Sequence, residues 1–121
     1  MKYDENNIFA KILRGEIPCD KIYEDEYVLS FYDINPQKKI HALVIPKGKY
    51  IDLDDFNSNA SNDEIVGLMK GITTVSKKLG ISSIDGNGYR ALANISDYGG
   101  QEVPHLHFHL FGGEKVGKMV S

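Results

Sequence analysis

A chain of 121 residues, 41% hydrophobic and 26% charged, is suited to one modest core, since folding at this size hides roughly two-thirds of the surface the unfolded chain exposes. That balance excludes a disordered or membrane-spanning composition, and a net charge of -3 argues against affinity built by neutralising many nucleic-acid phosphates. Cys19 stands alone, so there is no intrachain disulfide and no Cys-x-x-Cys pair. With no signal-peptide pattern after Lys2 and no apolar run near about 20 residues, a cytoplasmic protein with no membrane attachment is expected.

Ile8, Phe9, Ile12 and Leu13 recur at helical spacing, and Gly15 offers a stop before Ile17-Pro18, so a short helix opens the chain. Ile22-Tyr23-Glu24 and Tyr27 to Tyr32, rich in aromatic and β-branched residues, flank the acidic turn Glu24-Asp25-Glu26 and read as a hairpin. A turn at Asn35-Pro36, followed by the lysine pair Lys38-Lys39 on solvated surface, leads to a third strand, His41-Ala42-Leu43-Val44-Ile45, ended by Pro46.

Ser61-Asn62-Asp63-Glu64 is a capping-box pattern. Ile65, Leu68, Met69, Ile72, Val75 and Leu79 follow at three- and four-residue spacings, and Gly80 sits where a C-cap belongs. These residues predict one amphipathic helix over 61–79, whose cationic end, Lys77-Lys78, suits the helix dipole. After Asp85-Gly86-Asn87-Gly88, the segments Tyr89 to Ile95 and Val103 to Phe111 read as strands, parted by Gly99-Gly100. No repeat, linker or low-complexity tract divides the chain. Neighbouring strands with short connections predict an α+β domain whose largely antiparallel sheet is covered on one face by the long helix.

The chemistry concentrates in His105-Leu106-His107-Phe108-His109, where strand alternation puts the three imidazoles on one face and the apolar residues on the other. The fourth histidine, His41, opens another predicted strand. Near neutral pH imidazole serves as nucleophile, proton donor or metal ligand. The spacing alone leaves two readings open: a three-histidine zinc site with an activated water, and covalent attack on phosphorus with neighbouring N–H groups stabilising the non-bridging oxygens.

The run His105-Leu106-His107-Phe108-His109-Leu110-Phe111 resembles the defining motif of the histidine-triad (HIT) superfamily. Asn94, Gly99, Gln101 and Val103 fall at that family's spacing. Upstream, Ile8-Phe9, Arg14-Gly15-Glu16-Ile17-Pro18, Phe31-Tyr32-Asp33-Ile34-Asn35-Pro36 and His41-Ala42-Leu43-Val44-Ile45-Pro46 are similar to the Hint-like branch. The resemblance covers residues 6 to 113. It implies a single HIT domain over 1–121 with a core of about 6–113 and a tail of 114–121. It also implies a mainly antiparallel five-stranded sheet with one long and one short helix, and a two-fold homodimer with a continuous sheet.

The activity the resemblance implies is hydrolysis of purine nucleoside 5'-phosphoramidates or related AMP conjugates through a nucleotidyl-histidine, with no cofactor, no metal, no nucleic acid and no membrane. By position His107 would be the nucleophile, with His105, His109 and His41 orienting it, relaying protons or binding phosphate. Asp33 would hold the ribose hydroxyls, and Ile34 and Phe31 would pack near the base. Asn94, Gly100, Gln101 and Glu102 would, with His107 and His109, contact the phosphate. Without the resemblance, Asp33 and Asn94 are turn residues and Gly99-Gly100 a tight loop.

The rivals are dinucleoside polyphosphate hydrolysis and a non-catalytic nucleotide-binding module. Nucleotidyl transfer is disfavoured, because the galactose-1-phosphate uridylyltransferase branch carries glutamine where this chain has His109. Three features depart from relatives. Glu102 replaces a serine found near the leaving group in some Hint-like proteins, the tail lacks a Trp-Pro-rich ending, and Asn7 and Ala10 stand where some bacterial relatives carry zinc-binding cysteines.

Overall fold

The computed structural model describes residues 2–119; Met1 and the last two residues of the expected tail, Val120 and Ser121, lie outside them. The elements run α1 (Ile8–Leu13), β1 (Lys21–Glu24), β2 (Val28–Tyr32), β3 (Ile40–Pro46), α2 (Leu53–Asn59), α3 (Asn62–Lys78), β4 (Arg90–Leu92) and β5 (Phe108–Gly112). The strands form one antiparallel sheet in the order β1-β2-β3-β5-β4, the five-stranded α+β architecture expected. Among the described residues no helix is long and apolar enough to cross a membrane.

Local chemistry accounts for the boundaries. The capping box at the start of α3 is complete: Glu64 N–H donates to Ser61 Oγ at 3.1 Å, and Ser61 N–H to Glu64 Oε1 at 3.0 Å. In the acidic turn between β1 and β2, Asp25 Oδ1 accepts from the backbone N–H groups of Tyr27 and Val28, fixing the hairpin. Gly71 lets α3 lie close on the sheet, since a Cβ there would meet the Val28 side chain at 3.1 Å.

Two expectations about elements are corrected. Among the described residues there are three helices rather than one long and one short: α2 was not anticipated, and it is capped by Asp52, whose side chain accepts from Asp55 N–H. The strand expected over Val103 to Phe111 is paired only from Phe108 onward, and that over Tyr89 to Ile95 only from Arg90 to Leu92. Pro104 has no N–H to give a ladder, the chain bends at residues 103–105, and Leu106 N–H donates to Tyr50 O at 2.9 Å instead.

The sheet separates two apolar layers, as strand alternation requires. On one face Val28, Ala42, Val44, Leu106 and Leu110 pack with Phe56 of α2 and Leu68, Ile72 and Val75 of α3. On the other, Leu29, Phe31, Leu43 and Ile45 pack with Phe9 of α1. The histidines belong to this second face, under α1 and the N-terminal segment.

Candidate active site

A cleft of about 490 Å³ opens on the α1 face. Strand β2 and the turn after it bring Phe31, Asp33 and Ile34; β3 brings His41; the loop after β4 brings Asn94, Gly100 and Glu102; and the segment entering β5 brings His107 and His109. Nine of the sequence-predicted site residues thus share one cavity. Phe31 lies on its floor, in edge-to-face contact with Phe9 at 5.6 Å, whereas Ile34 stands at the mouth, 85% exposed.

The hydrogen bonds fix which nitrogen of each histidine carries a proton. His107 Nδ1 lies 2.7 Å from the His105 carbonyl oxygen. That oxygen only accepts, so Nδ1 donates. Burial lowers the pKa of His107, while this bond and the charges of Asp33 and Glu102 raise it less, so the ring is neutral near pH 7 and its lone pair sits on Nε2. The ring is 94% buried and meets the edge of Phe9 at a centroid distance of 4.9 Å.

A second chain of bonds orients the other pair. Gln37 N–H donates to His41 Nδ1 at 3.1 Å, so His41 carries its proton on Nε2. That proton is shared with His109 Nδ1 at 2.9 Å and faces Asp33 Oδ2 at 3.4 Å. Since His109 Nδ1 accepts, its Nε2 carries the proton. Desolvation, reinforced by the neighbouring His107 and His41, pushes the pKa of His109 down to about 4, and desolvation also lowers that of His41. Phe111 packs beside both rings, parallel to His109.

Two predicted residues do not line the cavity. His105, 0% exposed, has its pKa pushed to about 4 by burial. Its Nε2–H donates to Pro46 O at 2.9 Å and its Nδ1 accepts from the Tyr3 hydroxyl at 2.7 Å. With both nitrogens committed, the ring has no lone pair or proton to offer a substrate. Gln101 donates to Ile51 O and Val103 O and accepts from Ser96 N–H, a brace for the loop that carries Gly100 and Glu102. The N–H groups of Gly100 and Gln101 donate to Asp97 O and Ser96 O, so neither is free for a phosphate.

Asp33 forms the turn expected of it. Oδ1 accepts from Asn35 N–H at 2.8 Å, an Asx turn, while Oδ2 faces His41. Asp33, His41 and His109 present donor atoms within 4.8 Å of one another, the spacing of a metal-ligand set, whereas the three triad histidines do not converge because His105 is engaged elsewhere. A cation among the three would have to displace the proton shared by His41 and His109. Among the described residues, no lysine or arginine lines the cleft, and its carboxylates are Asp33 and Glu102.

Sequence reasoning missed the roles of Tyr3, Phe9 and the Gln37 peptide. Phe9 was legible as an apolar helix position and as part of the Ile8-Phe9 resemblance, neither of which points to His107, and neither the Tyr3 contact, 102 residues away in sequence, nor a main-chain donor leaves a sequence signal.

A model of the HIT domain matches residues 14–116. The chain is 50% identical over 119 residues to a 13.2 kDa HIT-like protein of Azospirillum brasilense, covering 98% of this chain and 95% of the relative. It is 40% identical over 117 residues to the purine nucleoside phosphoramidase of Escherichia coli K12, covering 97% and 95%. A solved HIT family hydrolase from Clostridium thermocellum superposes with a TM-score of 0.84 at 37% identity, over 98% of this chain and 99% of the other. The chain belongs to the HIT domain family.

Proposed function

We propose that this HIT-domain hydrolase cleaves purine nucleoside 5'-phosphoramidates, or related AMP conjugates, through a nucleotidyl-His107 intermediate. The observation that carries the reading is the His107 Nδ1–H bond to the His105 carbonyl, which leaves the Nε2 lone pair of a neutral ring in the cleft. Nε2 attacks phosphorus and an N–P bond forms as the phosphorus–amine bond breaks; the departing amine takes up one proton from solvent. Water then attacks phosphorus, AMP leaves, and the proton is returned to solvent as neutral His107 is regenerated.

During the intermediate His107 is cationic, and the His105 carbonyl oxygen on Nδ1–H together with the Asp33 and Glu102 charges stabilises it. His109 Nε2–H and Asn94 serve as phosphate donors, Asp33 serves the ribose hydroxyls, and Phe31 and Ile34 serve the base. A cleft with two carboxylates and no lining lysine or arginine is a poor host for a polyphosphate leaving group, which ranks dinucleoside polyphosphates below phosphoramidates. No metal or cofactor takes part.

The reading includes a two-fold homodimer with a continuous sheet, joined through one of the two edge strands, β1 or β4, and a protein that works in the cytoplasm. Light scattering tests the pairing. Purified protein should release AMP from adenosine phosphoramidate and show an AMP-sized adduct on the His107 peptide by mass spectrometry, and His107→Ala should abolish both. Undiminished turnover by His107→Ala removes the mechanism. Tight AMP binding without turnover of any conjugate replaces it with a binding role.

A further inference from the structure

We infer that Tyr3, outside the family-matched residues 14–116, is a positioning residue for the nucleophile, acting through His105; the inference rests on the role proposed for His107. His105 is the hinge of the arrangement because its main chain and its side chain do different jobs. Its carbonyl oxygen holds His107 Nδ1 at 2.7 Å. Its ring, with no exposed surface, is pinned between Pro46 O at 2.9 Å and the Tyr3 hydroxyl at 2.7 Å.

These contacts admit one protonation state. A cationic ring is disfavoured by burial, and an Nδ1–H tautomer would aim the Nε2 lone pair at the Pro46 carbonyl oxygen. The Tyr3 hydroxyl is the donor that satisfies Nδ1 in the remaining tautomer. Without it, a buried acceptor is left unpaired, and the ring is relieved by shifting or by moving its proton. Either relief moves the peptide whose carbonyl aims His107.

The N-terminal segment is built to hold Tyr3 there. Asn7 donates to Asp4 O through Nδ2 at 2.7 Å and caps α1 by accepting from Ala10 N–H. Glu5 is paired with Lys49 at 2.8 Å, and its carbonyl accepts from Arg14 at 2.9 Å. Tyr3 packs edge-to-face on His105 at 5.7 Å, and Phe9 packs on His105 and His107. Two aromatic side chains from the first nine residues therefore grip two of the three triad rings. Tyr3 does not line the cleft, so its loss should touch catalysis more than binding.

The test is Tyr3→Phe in the full chain, which keeps the ring and removes the hydroxyl. With adenosine phosphoramidate, kcat should fall roughly five- to tenfold, the effect of one hydrogen bond, with KM within about twofold. In long-range nitrogen–proton spectra of the free protein, the His105 Nδ1 and His107 Nδ1–H resonances should both move. A site-specific fluorotyrosine at position 3, a stronger donor in an unchanged fold, should move His105 Nδ1 the opposite way. Wild-type kcat in Tyr3→Phe with unmoved histidine resonances overturns the inference, as does a change confined to KM or to melting temperature. If the wild type releases no AMP the proposed function falls, while the spectra still decide whether Tyr3 sets the two histidines.

Discussion

Acidification should unfold this protein through His105 in a way a single substitution can isolate. Folding holds the ring neutral: burial pushes its pKa from 6.5 to about 4, against a smaller opposing effect of the Pro46 carbonyl. A depressed folded pKa means the unfolded chain takes the proton first. The stabilisation is therefore whole above about pH 6.5 and declines as pH falls toward 4. With 6.5 unfolded and about 4 folded, the loss at pH 4.5 is about 2.5 kcal/mol, a slope near ~1.4 kcal/mol per pH unit.

The reference protein is His105→Gln, whose amide offers a donor toward Pro46 O and an acceptor toward Tyr3 but does not titrate. Urea unfolding of both proteins at pH 7 and pH 4.5 separates the effect from carboxylates such as Glu24 and Asp25. Their folded pKa values are also lowered, and they act equally on both chains. The wild type should lose about 2.5 kcal/mol more than the variant over this interval. Equal losses would mean that the folded protein accommodates a cationic His105, and the argument from burial would fail.

Other outcomes follow from the same geometry. Because burial lowers the pKa values of His107, His41 and His109 below 6.5, the acid limb of kcat/KM should lie below pH 6.5 and the profile should be flat from there to pH 8, as initial rates across a buffer series will read. Phe9→Ala removes a buried ring that touches His107 and should cost about 3 kcal/mol in urea unfolding while lowering kcat. Gly99→Ala would place a Cβ 2.4 Å from Ile95 O; since backbone cannot yield cheaply, the loop bearing Gly100 and Glu102 must move, and AMP affinity by calorimetry should fall several-fold. Ser61→Ala dismantles the α3 capping box and should cost about 1 kcal/mol with kcat unchanged.

What the sequence displayed was periodicity. Helix α3 was legible because its cap and its stripe are both local, and the hairpin because Asp25 sits where a turn needs it. Helix α2 was not: seven residues carrying only Leu53 and Phe56 as large apolar side chains show too little periodicity to separate from a loop, although Asp52 with Asp55 three residues on was a usable cap signal. The histidine run is the instructive case. Side-chain alternation survives from His105 to Leu110, with Leu106 and Leu110 in the α3-side core, yet the ladder begins only at Phe108. An extended chain alternates whether or not it is paired, so the pattern revealed the two faces but not the bend at Pro104. Nor could it separate His105 from its neighbours, because that difference is made by Pro46 and Tyr3, remote in sequence.

The polarity of the His41–His109 pair is set by a peptide N–H, that of Gln37. Side-chain replacement at position 37 leaves that donor in place, so an alanine scan would pass over it and the position can drift through almost any residue without changing which nitrogen bears the proton. Proline is the exception: Gln37→Pro deletes the donor, frees His41 Nδ1 to take up the proton, and turns both rings of the relay to the opposite tautomer. In this loop the mutational record would show one forbidden residue rather than one required residue.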